Sequence, residues 1–232
     1  MQVFFTTYAN QVYSRSLERI TAEAERFSFD KVYAVRESDL FDSEFWLTHS
    51  KFILANPRGA GYWIWKPYVV SQALEKMADG DVLLYADAGC TLDAAKLARF
   101  AEYVQMVSTH PSGILVFNMS WNLQRFYTKK TVVDLLGAEL DVGQIAATAF
   151  MLRASPKTRS LVAEWLALCS KYYLIDDSPS LAADGTILAE DPAFREHRHD
   201  QAIWSLLLRS KYSALLLDYE LPNGPIKDSR LK

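Results

Sequence analysis

The sequence predicts an α/β fold, a single domain whose central, mostly parallel sheet is flanked by helices. Three observations predict it. A short apolar run, Val82-Leu83-Leu84-Tyr85-Ala86, opens after an Asp79-Gly80 turn signal, stops on a carboxylate, Asp87, and has helical patterns on both sides. Such a run is a buried strand of a mostly parallel sheet. The N-terminal stretch reads strand, helix, strand, the opening of a crossover unit that builds parallel sheets. A chain of 232 residues is also long enough for one sizeable core.

The elements follow in order. Gln2 to Thr6 is the first strand, Ser14 to Phe27 a helix with Leu17, Ile20 and Ala24 on one face, and Lys31 to Val35 a second strand ending at Arg36. Asp42 or Ser43 caps a helix running to about Leu54. Asn56 to Gly61 is a loop, and Pro67 is placed as the first residue of a helix through Met77. After the central strand, Leu92 to Val107 is helical and Gly113 to Asn118 an apolar strand. Met119 to Tyr127 reads as irregular and aromatic, and Thr128 as the cap of a short helix stopped by Gly137. Gln144 to Arg153 is a strand, and Ser155-Pro156 starts a long helix through about Tyr173. Ile175 to Glu196 is expected as an ordered loop of the length used for lids and binding loops. A helix from His197 to about Arg209, a strand from Tyr212 to Leu217 and a loose polar tail after Glu220 complete the chain.

Composition excludes several classes. A net charge of −3 and a pI near 5.8 argue against a nucleic-acid surface. Two cysteines are too few for a disulfide framework or a zinc motif. No apolar stretch approaches the roughly 20 residues of a membrane span, and Met1 to Thr7 does not read as a signal peptide. The expectation is a soluble, cytoplasmic protein.

Three clusters carry the chemistry: Gly59 to Pro67, Asp87 to Gly89, and His197 to Gln201. Taken singly, each has an ordinary structural explanation: core packing for Trp63 and Trp65, a solvated side chain for Lys66, a cap for Asp87, surface positions for His197 and His199. Together they suit a diphosphate with a divalent metal. Ligands of parallel sheets sit outside the carboxyl ends of the strands, where Asp87 stands and Ala88-Gly89 leave room for a bulky group. Magnesium or manganese takes one or two carboxylates and completes its shell from phosphate and water. Arg58 and Lys66 are cations suited to a departing diphosphate.

Gly61-Tyr62-Trp63-Ile64-Trp65-Lys66-Pro67, Tyr85-Ala86-Asp87-Ala88-Gly89-Cys90 and His199-Asp200-Gln201 resemble sugar-nucleotide-dependent glycosyltransferases of the Rossmann-like GT-A fold. The resemblance is to small bacterial and viral enzymes that build surface polysaccharides. It implies a hexosyltransferase-type enzyme of polysaccharide or glycan biosynthesis, with a nucleotide-binding half at about 1–90 and an acceptor half at about 91–220. The donor implied is a nucleoside-diphosphate sugar, UDP-sugar favoured; the acceptor is a saccharide or lipid-linked saccharide, the latter leaving a peripheral membrane location open. Asp87 matches the first acid of the Asp-x-Asp motif that holds ribose and metal, whereas Gly89 stands where the second would be. The resemblance thus implies Mn²⁺ or Mg²⁺ at Asp87, with His199 the first candidate for the missing ligand. Thr6, Thr7 and Tyr8 fall where the first strand meets nucleobase and ribose, and Arg36, Arg58, Lys66, Ala88 and Gly89 are further donor contacts. Asp200 falls where inverting members place the base, Trp121 and Arg125 suit an acceptor sugar, and in a retaining enzyme Gln144 or Asn118 lies nearer the reacting carbon. A catalytically inactive sugar-nucleotide or glycan-binding module and a sugar nucleotidyltransferase are the alternatives.

Overall fold

A computed structural model describes residues 1–137 and 139–231. The strands are β1 (Val3–Ala9), β2 (Lys31–Arg36), β3 (Val82–Ala86), β4 (Thr91–Leu92), β5 (Ile114–Leu123), β6 (Gly143–Ile145), β7 (Ala149–Arg153), β8 (Leu215–Asp218) and β9 (Ile226–Lys227). The helices are α1 (Ser14–Ala24), α2 (Glu44–Ala55), α3 (Gly59–Tyr62), α4 (Trp65–Glu75), α5 (Leu97–Thr109), α6 (Gln124–Tyr127), α7 (Lys130–Leu136), α8 (Pro156–Cys169), α9 (Tyr172–Ile175) and α10 (His199–Ser210).

Among the described residues a seven-stranded sheet runs β2-β1-β3-β7-β5-β6, with β8 pairing β5. Its N-terminal part, β2-β1-β3, is parallel as the crossover pattern predicts. Beyond β3 the sheet is mixed: β7 is antiparallel to both β3 and β5, β6 is antiparallel to β5, and β8 is parallel to β5. The strand expected over Gln144 to Arg153 is therefore two strands, broken where Ala146 to Thr148 reach the site.

Strand periodicity divides the core between the two faces of the sheet. Leu83 and Tyr85 of β3 join α2, α4, α8 and α10 on one face, where Phe150, Trp165 and Trp204 pack ring on ring; Val82, Leu84 and Ala86 join α1 and α5 on the other. The face predicted for α1, Leu17, Ile20 and Ala24, is buried as read. Local chemistry sets the ends. Ser43 accepts from Trp46 N to cap α2, Ser155 caps α8 with Pro156 just inside, and Gly137 closes α7 at φ +64°.

Other boundaries differ from expectation. Helix α4 begins two residues before Pro67, and Lys129 rather than Thr128 is the cap of α7. The irregular segment after Asn118 continues β5 to Leu123 through a register shift opposite β6. Gly143 permits that approach, because a Cβ there would lie 2.4 Å from Met119 O. The tail after Glu220 is not loose: Leu221 and Ile226 are buried and β9 pairs β4.

Candidate active site at the carboxyl ends of β1 and β3

Strands β1 and β3 are parallel neighbours, so Tyr8 and Asp87 emerge at the same edge of the sheet. The helices α4 and α10 point their N-termini at this edge, bringing Lys66 and Asp200 in their first turns. The Lys66 ammonium, 3% exposed, lies 3.2 Å from Asp87 Oδ1 and 3.0 Å from Asp200 Oδ2, and donates to Ala147 O at 3.2 Å. The ammonium is thereby shared between one carbonyl and two carboxylates. Tyr85 donates its hydroxyl to Asp87 Oδ1 at 2.6 Å.

This arrangement places one buried cation between two carboxylates. Burial opposes the Lys66 charge, but Asp200 and Asp87 outweigh it and hold the ammonium above its ordinary range. Burial raises the Asp200 carboxyl to about 6 against the pull of Lys66, and Asp87 adds to the rise. Asp200 is therefore a carboxylate able to take up a proton near neutrality. Its place at the α10 N-terminus favours the ionised form.

The segment leading into α4 is strained. Gly59, Ala60, Gly61, Tyr62 and Trp63 all have φ between +50° and +82°, a left-handed turn in which three residues carry side chains. Each such residue costs about 1–2 kcal/mol. Internal bonds hold the turn: Gly61 N donates to Asn56 O at 2.8 Å, Tyr62 N to Arg58 O at 2.8 Å, and Trp65 Nε1 to Gly59 O at 2.9 Å. A further left-handed residue, His199 at φ +50°, packs its ring against Tyr62 and Trp63. Its Nδ1 donates to Ile175 O at 2.7 Å, which leaves Nε2 as a buried lone pair with no hydrogen-bond partner. Burial lowers the His199 pKa, so the ring is neutral at physiological pH. Strain of this kind collects at functional sites.

Two adjoining cavities open here. One, of about 360 Å³, is polar and bordered by Arg58, Lys66, His199, Asp200, Gln201 and Asp228. The other, of about 430 Å³, is more apolar and bordered by Tyr8, Asn10, Tyr13, Trp65, Ala88 and Leu231. Trp63, Asp87, Gly89 and Arg230 border both. The C-terminal strap reaches them because Leu231 N donates to Gly89 O at 3.1 Å and Ser16 Oγ to Leu231 O at 3.0 Å. A Cβ on Gly89 would point at this strap, 3.6 Å from Arg230 Cα.

Of the residues singled out in the sequence, Tyr8, Arg58, Lys66, Asp87, Ala88, Gly89, His199 and Asp200 converge on the two cavities. Thr6 and Thr7 are fully buried within β1, and Arg36 borders a separate cavity of about 130 Å³. Trp121 is exposed against Tyr219, and Arg125 pairs with Asp141; neither borders the cavities. Gln144 is buried and accepts from Gln201 Nε2, so it supports the cleft from behind. Arg58 pairs with Asp177 and Glu196. His197 and His199 are buried rather than on the surface. Trp63 and Arg198, which lie inside the clusters singled out in the sequence, border the cavities as well. Asn10, Glu196, Asp228 and Arg230 carry no sequence signal as cavity residues; for the last two no local signal exists, because their arrival depends on the β4–β9 pairing.

Among the described residues no three His, Cys, Asp or Glu side chains converge as a metal cage. His199 Nε2 lies 3.8 Å from Asp177 Oδ1. The carboxylates bordering the polar cavity include Asp87 and, on the strap, Asp228, which accepts from the Tyr219 hydroxyl at 2.6 Å. Such a donor set fits a magnesium or manganese ion shared with phosphate and water, not one held by protein alone.

No family model matches the sequence, and no curated protein matches it. Solved structures do. The bifunctional glycosyltransferase WbbM, in its apo form, superposes with a TM-score of 0.50 at 10% identity over 95% of this chain and 39% of that one. Mouse xyloside xylosyltransferase 1 gives 0.49 at 10% identity over 94% and 85%. The Streptococcus pneumoniae glycosyltransferase GlyE gives 0.47 at 8% identity over 94% and 46%. The chain thus spans less than half the length of WbbM and of GlyE. The mixed α/β architecture is that of GT-A glycosyltransferases, as the sequence motifs imply. Among the described residues no helix is long and apolar enough to cross a membrane.

Proposed function

We propose that the protein is a glycosyltransferase that moves a sugar from a nucleoside diphosphate, UDP favoured, to a saccharide acceptor. The observation that carries this reading is the pair of cavities, one more apolar and aromatic, one polar and lined by charges of both signs, that share Asp87 and Gly89 at the carboxyl ends of the parallel strands. The base and ribose take the apolar cavity beside Tyr8, the diphosphate lies along Gly89 and Arg230, and the sugar enters the polar cavity. Asp87 and Asp228 would hold Mn²⁺ or Mg²⁺, which supplies charge neutralisation for the departing diphosphate. Asp200, raised to about 6, is the base that takes the acceptor hydroxyl proton. A saccharide chain under construction, lipid-linked or free, is the acceptor class.

The test is thermal melting against nucleoside diphosphates and their sugars, with and without Mn²⁺. A ligand at 100 times its Kd stabilises by about 2.7 kcal/mol, which is about 5–10 °C for a chain of this size. We expect such a rise with one diphosphate, larger with Mn²⁺ and absent in Asp87→Ala. No rise with any nucleotide would remove the donor assignment and leave the fold alone. Gly89 at the acid position favours one second reading, an inactive sugar-nucleotide-binding module. It predicts a rise indifferent to Mn²⁺ and no release of nucleotide with any acceptor.

A further inference from the structure

The motif Trp63-Ile64-Trp65 carries two indoles with opposite situations. Trp65 is 6% exposed, stacks on Tyr8 at 4.0 Å and spends its Nε1 on Gly59 O. Its role is structural. Trp63 is half-buried, borders both cavities, and its Nε1 has no hydrogen-bond partner among the described residues. It is also held rigidly. A Cβ on Gly59 would fall 2.4–2.7 Å from Trp63 Cδ2, Cε3 and Cε2, so the indole lies on the bare backbone of that glycine. The His199 ring stacks on the indole as well, with centroids 5.5 Å apart. Two left-handed backbone segments, 59–63 and His199, are maintained to create this contact.

We infer that Trp63 is a specificity-determining residue of the donor site: its clamped indole takes the donor where nucleotide meets sugar, and makes the protein prefer a nucleotide sugar over the bare nucleotide. This rests on the donor reading above. The chemistry is that of an aromatic ring fixed in advance, offering an apolar face to a pyranose ring and an N–H to its hydroxyls or to phosphate. Trp65, by contrast, borders the apolar cavity alone and spends its N–H inside the fold.

The experiment measures dissociation constants of the full chain for two probes, a nucleoside monophosphate and the diphosphate sugar of the same base. Trp63→Phe removes the N–H and shrinks the ring; Trp63→Tyr keeps a ring and a donor. We expect Trp63→Phe to weaken the nucleotide sugar about tenfold or more while the monophosphate changes by less than about twofold, a loss on the scale of one charge-assisted hydrogen bond. Trp63→Tyr should recover part of the loss. Equal weakening of both probes, or an unchanged sugar complex, overturns the assignment while leaving the donor site intact. A wild-type chain that binds neither probe overturns the donor reading and this inference with it. Should Trp63→Phe melt well below wild type, Gly59→Ala provides the second variant. It keeps the indole but displaces it, and must show the same selective loss.

Discussion

At the scale of single residues the cleft turns on Lys66, one buried ammonium serving Asp87 and Asp200 at the floor of the polar cavity. Removing it, as in Lys66→Met, leaves two carboxylates facing each other without a cation, a change that costs about 3–5 kcal/mol for a broken buried pair. Removing one carboxylate has a different result. Asp200 keeps its proton up to about 6 in the fold and releases it at the ordinary value of 3.8 when unfolded. Between those two values the folded state binds the extra proton, so this group's contribution to stability is full below 3.8 and is lost as pH rises through about 6. The loss amounts to about 3 kcal/mol at 1.36 kcal/mol per pKa unit. Asp200→Asn, which retains size and hydrogen bonding, is therefore expected to melt no lower than wild type at pH 8, with Lys66 paired one to one with Asp87. The same variant should abolish turnover, and wild-type kcat/KM should rise with pH through an acid limb near 6. A melting temperature well below wild type for Asp200→Asn at pH 8 would show that the excess carboxylate is not strained.

At the scale of elements, the left-handed turn between α2 and α4 is where the sequence was least informative. Glycines at 59 and 61 announce a loop, but Ala60, Tyr62 and Trp63 give no hint of positive φ, because residues with a Cβ avoid it unless tertiary contacts force them. The proline preference predicts the next helix from Pro67, whereas α4 starts at Trp65 because Trp65 and Lys66 are anchored by Gly59 O and the two carboxylates. Where a pattern is local, it was readable: the buried face of α1, the caps Ser43 and Ser155, the stop at Gly137. Two glycines of like φ, one in this turn and one in the loop before α10, separate the costs. Gly61 and Gly185 have nearly the same φ, +82° and +84°, but a Cβ on Gly61 would lie 2.9 Å from Ile53 Cγ1 and 3.0 Å from Ile53 Cα, while one on Gly185 meets nothing. Gly185→Ala should cost about 1–2 kcal/mol, the left-handed penalty alone. Gly61→Ala must add displacement of the α2 backbone. Denaturant midpoints at constant m-value measure the difference, and equal losses in the two variants would mean the turn tolerates more room than its packing indicates.

At the scale of the whole molecule, the cleft lies where the sheet changes character, since β3 has a parallel neighbour on one side and an antiparallel one on the other. That boundary puts the end of β3 and the start of β7 at one edge, which is why Asp87 N reaches Thr148 O and Lys66 reaches Ala147 O. Strands β1, β2 and β3 and the place of Asp87 are legible in the sequence because each is a local pattern. The strap that completes the cleft was not, because a polar segment with Pro222, Asn223 and Gly224 reads as loose until β9 finds β4 and Tyr219 finds Asp228. Deleting the chain from Asp228 onward tests what the strap does. The variant keeps β9, buried Ile226 and the 2.6 Å ion pair of Lys227 with Asp93. It loses the bonds of Leu231 to Gly89 and Ser16, of Ser229 to Thr91, and of Tyr219 to Asp228. Each is worth about 0.5–1.5 kcal/mol, and each kcal/mol shifts the melting temperature by about 2–4 °C for a chain of this size. The expected outcome is an unchanged circular-dichroism spectrum, a melting temperature several degrees lower, and no further rise with nucleotide, since Asp228, Arg230 and Leu231 leave both cavities together. A truncated chain that still answers to nucleotide as the full chain does would place the donor's phosphates away from the strap.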